Sequence, residues 1–88
     1  MIKVGFENYV PPERVAAVGQ PGSKPLTRMT RRAKERDMLI DFTAGRRTKG
    51  VVILDSGQLV LSALTPETLA GRYDKEMERR AVGRMQEG

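Results

Sequence analysis

The residues best equipped for chemistry in this 88-residue sequence form one short run, Gly45-Arg46-Arg47-Thr48-Lys49-Gly50. Three cations and a hydroxyl lie between two glycines. An arginine can fork to a phosphate or to the edge of a guanine, and a lysine acts as a point charge. Thr48 and the loop amides can bond phosphate oxygens. Glycine lets a backbone approach a ligand closely. Short basic loops are also common as plain solvated connections, so the weight of this one depends on its surroundings. Upstream, Arg28, Arg31, Arg32 and Arg36 fall on one stripe of a helical repeat, and Leu26, Met29 and Ala33 fall on another. Glu35 shares the arginine stripe and can neutralise part of it through Arg31 or Arg32.

The net charge of +5 is concentrated rather than diffuse. Residues 24–49 hold nine basic residues against Glu35, Asp37 and Asp41, an excess of +6, and the rest of the chain is close to neutral. That is the electrostatic footprint of a polyanion binder. The same composition excludes other chemistries. The chain has no His and no Cys, so Ser–His–Asp and Cys–His catalysis, disulfides and ordinary zinc sites are ruled out. It contains neither GxxxxGK[ST] nor GxGxxG. Ser23, Ser56 and Asp55 sit where turns are expected. Asp41 lies in an apolar run that could raise its pKa, but bonding to loop amides or to an arginine is the favoured reading. An enzyme is therefore not expected, nor is a cofactor, a metal or a small-molecule substrate.

These groups must be held by a small scaffold. Ile2, Val4 and Phe6 alternate with Lys3 and Gly5 as a half-buried strand, with a turn at Glu7-Asn8. Tyr9-Val10 precede Pro11-Pro12, which stops a ladder. Arg14 to Val18 is a second short strand, and Gly19 to Pro25 a loop. Pro25 to Asp37 reads as a helix capped by Ser23. Met38 to Phe42 is a strand, and Thr43 to Gly50 the basic loop. Val51–Leu54 and Leu59–Leu64 form a hairpin through Asp55-Ser56-Gly57-Gln58. Val51-Val52-Ile53-Leu54 does not alternate, so both faces of that strand should be covered. Thr65-Pro66-Glu67 opens a second helix with an apolar stripe of Leu69, Tyr73 and Met77. Phe6 and Phe42 are placed like core residues. The expected architecture is α+β: a small antiparallel sheet with two helices, one domain over residues 1–82 and a flexible tail over 83–88. The apolar runs are too short to span a bilayer, and the first residues do not read as a signal peptide. A cytoplasmic location, without membrane contact, is expected.

Several separated motifs also resemble the RemA family of bacterial regulators of extracellular matrix genes. They are Leu39-Ile40-Asp41-Phe42-Thr43-Ala44-Gly45-Arg46-Arg47-Thr48-Lys49, Asp55-Ser56, Val60-Leu61-Ser62-Ala63 and Pro66-Glu67-Thr68. Val4-Gly5-Phe6, Asn8, Val10, Arg14-Val15, Pro25 and Arg28-Met29 fit further elements of the pattern, so the likeness covers residues 2–72. Glu7, Phe42 and Asp37 depart from it, and none of the departures removes a cation. Asp37 stands where the family has glycine, and Asp can also end a helix in a left-handed conformation. The resemblance implies a LytTR-like subunit that assembles into a homo-oligomeric ring and binds double-stranded DNA at the nucleoid. It carries DNA contact to Arg46 and Arg47, and less directly to Arg14 and the region of Pro25. With the basic residues already described, the expected DNA-binding set is Arg46, Arg47, Lys49, Thr48, Arg14, Arg28, Arg31 and Arg32. Regulation of matrix or biofilm genes follows from the resemblance alone. The alternatives are an RNA-binding protein, for which base-stacking aromatics look scarce, and a basic protein-interaction scaffold.

Overall fold

The computed structural model describes the backbone of residues 1–87 and the side chains of residues 1–83. The chain starts as a two-stranded hairpin, β1 (Ile2–Gly5) and β2 (Asn8–Val10). A 3-10 turn over Pro12–Arg14 leads into β3 (Val15–Gly19). Helix α1 (Lys24–Glu35) then crosses to β4 (Leu39–Asp41). The basic loop follows, then the hairpin of β5 (Gly50–Leu54) and β6 (Leu59–Ser62), and finally α2 (Pro66–Glu87). The expected domain limit at residue 82 falls within α2, and the side chains of residues 84–88, in the expected tail, lie outside the described residues.

The second sheet has four strands in the order β3-β5-β6-β4. It is mixed rather than wholly antiparallel, because β4 runs parallel to β6 with Leu39, Ile40 and Asp41 opposite Leu59, Val60 and Leu61. The reason is the helical crossover. β3 and β4 occupy opposite edges of the sheet, joined by α1, and a helix that spans the sheet returns the chain to the end it left. β4 must therefore run with β3. The two reversals from β3 to β5 to β6 point β6 the same way.

Both faces of the sheet are covered, as the unbroken apolar run in β5 implies. Val52 and Val60 join Ile2, Val4, Val10 and Leu69 in a core between the sheet, the β1–β2 hairpin and α2. Val51 and Leu59 join Leu26 and Ala33 in a second core under α1. Successive β5 residues thus feed opposite cores, which is the period of two made visible. Ser62 ties the layers: its hydroxyl donates to the Val4 carbonyl at 2.7 Å and accepts from the Leu64 amide at 3.0 Å.

The helix ends follow their sequence signals. The Ser23 hydroxyl accepts from the Leu26 amide, and Thr65 Oγ1 accepts from the Thr68 amide. α1 stops where Asp37 turns left-handed (φ 55) and the Met38 amide donates back to the Ala33 carbonyl at 2.7 Å. In α2, Leu69 is fully buried and Tyr73 packs on the core, but Met77 is exposed. The expected stripe therefore ends at Tyr73. The buried position on the next turn is Glu76, which accepts from the Met1 ammonium at 3.1 Å and from Arg79 and Arg80.

Candidate functional site

The loop between β4 and β5 spans the end of β6, because β6 lies between β4 and β5 in the sheet. It is fastened to β6 on both sides. The Phe42 amide donates to the Leu61 carbonyl at 3.0 Å, and the Lys49 amide to the Ser62 carbonyl at 2.8 Å. Asp41 starts the loop. Its Oδ1 accepts from the Thr43 hydroxyl at 2.6 Å and from the Thr43 amide at 2.9 Å. These bonds, the hydroxyl first, hold the Asp41 carboxyl below its ordinary pKa, so it stays ionised as a structural clamp. This is the loop-amide bonding favoured from the sequence. The Thr43 carbonyl then accepts from the Arg46 amide at 3.0 Å, closing a turn through Ala44 (φ 53) and Gly45 (φ 80). Gly45 suits that conformation because it carries no Cβ.

At the other end of the loop, Gly50 allows a close approach. A Cβ there would stand 2.4 Å from the Leu64 carbonyl oxygen and 2.8 Å from Leu69 Cδ1. The two glycines that frame the basic run therefore act differently: Gly45 turns the chain, and Gly50 lets it pack under the start of α2.

The expected DNA-binding residues separate into groups. Arg46, Arg47 and Lys49 line one side of an open cleft of about 640 Å³. Thr48 borders a hollow with Arg31, Thr27 and Lys34 of α1 and, together with Arg47 and Lys49, another beside Glu67 at the start of α2. Arg28 is exposed on α1. Arg32 lies towards the far end of the sheet, in a hollow with Met38 and Gly57 of the β5–β6 turn. Arg14 is at that far end too. Its carbonyl accepts from the Asp55 amide at 2.7 Å, and its guanidinium lies 3.7 Å from the Asp55 carboxylate. The length of β5 separates these two ends, roughly 13 Å at about 3.3 Å per residue. Within the chain, Arg46, Arg47 and Lys49 converge, Arg31 shares a hollow with Thr48, and Arg14 and Arg32 stand apart.

The cleft also contains residues that the sequence reading did not single out. Lys3 of β1 and Arg72 of α2 also line it, and the Arg72 guanidinium donates to the Lys3 carbonyl at 2.8 Å. Signals for both were present: Lys3 is the outward position between Ile2 and Val4, and Arg72 is one turn beyond buried Leu69. Among the described residues, Arg46, Arg47, Lys49 and Arg72 have no carboxylate partner. Lys3 does have one, Glu7 at 2.8 Å; that bond raises the pKa of Lys3 and lowers that of Glu7.

Phe6 corrects the sequence reading. It was expected in the core, yet it is 45% exposed and lines the cleft, with the Arg46 guanidinium carbon 5.3 Å from its ring centroid. The cause is a turn shifted by one residue. The two residues at its apex are Phe6 (φ 52) and Glu7 (φ 63), both left-handed, and Asn8 is already the first residue of β2. The turn breaks the alternation that would have sent the ring inward. Phe42, by contrast, packs against the first core as expected.

Fold and site together define a small α+β protein with a cationic face built around one anchored loop. The chain belongs to the RemA-like family, described as extracellular matrix regulatory protein A-like, whose model matches residues 1–73. The matched span includes every cation of the cleft and stops inside α2, before the Glu76 cluster. The chain is 50% identical over 72 residues to a candidate regulatory protein of Synechococcus elongatus, covering 82% of this chain and 83% of that one. It is 47% identical over 78 residues to one from Desulforudis audaxviator, covering 89% and 82%. A third, from Dictyoglomus turgidum, is 49% identical over 81 residues, covering 89% and 95%. Its relatives are thus named as regulators rather than as enzymes.

Proposed function

We propose that this protein is a transcriptional regulator, without catalytic activity of its own, that binds duplex DNA through the Gly45–Gly50 loop and acts as a homo-oligomeric ring. The observation that carries the reading is the convergence of Arg46, Arg47 and Lys49, unpaired with carboxylates among the described residues, on a loop anchored at both ends to β6. Phosphate contacts of this kind position a protein on DNA without reading much sequence. Thr48 and Arg31 extend the contact on one side of the loop, with Arg28 further along α1.

One subunit supplies few contacts, so repetition is central to the proposal. Cyclic assembly joins unlike faces head to tail, and linked contacts strengthen one another through effective concentration. In a ring of LytTR-like subunits, Arg14 and Arg32 of one copy would extend the track begun by the loop of the next. DNA following such a track would be selected largely by its backbone and its bendability. The family description supports extracellular matrix genes as targets, and a regulator that works on DNA would act in the cytoplasm.

The test combines a gel shift on a long duplex with light scattering. Arg46→Ala with Arg47→Ala should abolish the shift at physiological salt, with binding measurable only at low salt, and leave the particle mass unchanged. Loss of the oligomer in that variant would reassign the loop to assembly. A second reading, single-stranded RNA binding, gains support from the exposed rings of Phe6 and Tyr9 near basic side chains. Competition between duplex DNA and single-stranded RNA at fixed salt separates the two.

A further inference from the structure

Phosphate contact with a duplex accounts for the loop but not for the shape of the cleft it borders. The cleft is concave, about 640 Å³, and has two kinds of lining. One is cationic: Arg46, Arg47 and Lys49 from the loop, with Lys3 and Arg72 joining them from β1 and α2. The other is apolar: Ala63, Leu64 and the exposed ring of Phe6. Among the described residues no carboxylate lines it, and the nearest ion pair, Lys3 with Glu7, involves only Lys3 of the lining. A volume of this size is typical of small-ligand sites, in which apolar surface takes up a ring system and a few polar groups fix its orientation.

Phe6 is the informative member. A bulky residue in the left-handed region is uncommon, and here two non-glycine residues adopt it in succession. A two-residue hairpin loop between the paired Gly5 and Asn8 requires that conformation at both positions, where Asn or Gly is usual; what stands out is that a bulky aromatic occupies the tip. The turn sets an aromatic face at the mouth of a cationic cleft, with a guanidinium already stacked on it. The order of elements reinforces the arrangement. The Arg72 guanidinium is held on the Lys3 carbonyl, and the Lys49 backbone is held on Ser62 through its amide, so cations from α2 and from the loop both enter the cleft from fixed points.

We infer that this cleft binds a small phosphorylated ligand bearing a planar ring, of the nucleotide class. The phosphates meet Arg46, Arg47, Lys49 and Arg72, and the ring packs on Phe6. Arg46, Arg47 and Lys49 are common to the ligand site and the proposed DNA contact, so an occupied cleft withdraws these cations from DNA and the ligand acts as a competitive effector. That regulatory half rests on the DNA-binding reading; ligand binding itself does not.

The experiment is calorimetric titration of the full-length protein with ATP, with inorganic triphosphate (charge without a ring) and with adenosine (a ring without charge). ATP should bind at least tenfold more tightly than either. Phe6→Leu should bring ATP to the affinity of triphosphate, and Phe6→Tyr should keep the preference. Because Phe6 is exposed, neither change disturbs the core. Equal affinity for ATP and triphosphate, or a preference that survives Phe6→Leu, overturns the site. In a second arm, ATP should release a labelled duplex from the wild-type protein and release less from Phe6→Leu. ATP binding with the duplex retained overturns the regulatory half. ATP binding to a protein that never holds the duplex leaves the ligand site standing and removes the DNA reading.

Discussion

The basic loop owes its shape to a few side chains that never face a ligand. Asp41 is the clearest. Its carboxylate satisfies the hydroxyl and amide of Thr43, which is 3% exposed, and the turn through Ala44 and Gly45 begins there. Asp41→Ala leaves those donors without a partner, and such a loss costs roughly 1–3 kcal/mol. Urea denaturation should show it, together with weaker nucleic-acid binding because the arginines lose their anchored frame. Glu76, on α2 outside the matched family span, is a structural carboxylate of another part of the chain, tying α2 to the first residue. Hydrogen bonds from Arg79 and the Met1 ammonium hold its carboxyl at about 2, against an ordinary 4.5. A lowered carboxylate pKa stabilises the fold fully above the unfolded value and loses that contribution as pH falls towards the folded one. Melting temperature should therefore drop between pH 4.5 and 2 in the wild type. The Glu76→Gln variant should show a shallower drop; equal slopes would remove Glu76 from the account. Single residues were also where the sequence was least legible. Asp41 could be weighed correctly because Thr43 lies two residues away. Phe6 could not, since a one-residue shift in a turn decides whether its ring faces core or cleft.

At the scale of elements, most of the fold was legible. Ser23 and Thr65 mark the helix starts, Asp37 ends α1, and the unbroken apolar run of β5 signals a strand covered on both sides. Strand direction was not legible, because hydrophobic periodicity is the same for parallel and antiparallel strands. Only the crossover through α1 settles that β4 runs with β6, and that arrangement carries the basic loop across the end of the sheet. The packing of β5 under α2 supplies a sharp test. Gly50→Ala places a Cβ against the Leu64 carbonyl and Leu69, a rigid neighbour and a core one. Overpacking of this kind costs about 1–3 kcal/mol. Leu69→Ala, which opens a cavity in the same place, should cost about 2–5 kcal/mol. Chemical denaturation of both variants checks the pair. A neutral Gly50→Ala would mean that the loop and α2 are not packed as described.

The whole molecule is too small to make a long nucleic-acid surface alone. Its candidate cations divide between two ends of one sheet, with Arg46, Arg47 and Lys49 at one and Arg14 and Arg32 at the other. The localised charge in residues 24–49 raised the expectation of a polyanion binder, but it could not show this division, which exists only once the strands are aligned. Nor could it show that Lys3 and Arg72, far apart in sequence, complete the cleft. The proposed ring turns the division into a repeated track. The most direct test is the salt dependence of duplex affinity. Each phosphate neutralised contributes about −0.9 to the slope of log affinity against log salt. The wild-type protein should give a steep negative slope that Arg46→Ala with Arg47→Ala makes shallower by about 1.8 for each engaged subunit. A flat wild-type response, or a slope unchanged by removing both arginines, would contradict the assignment of this loop to DNA.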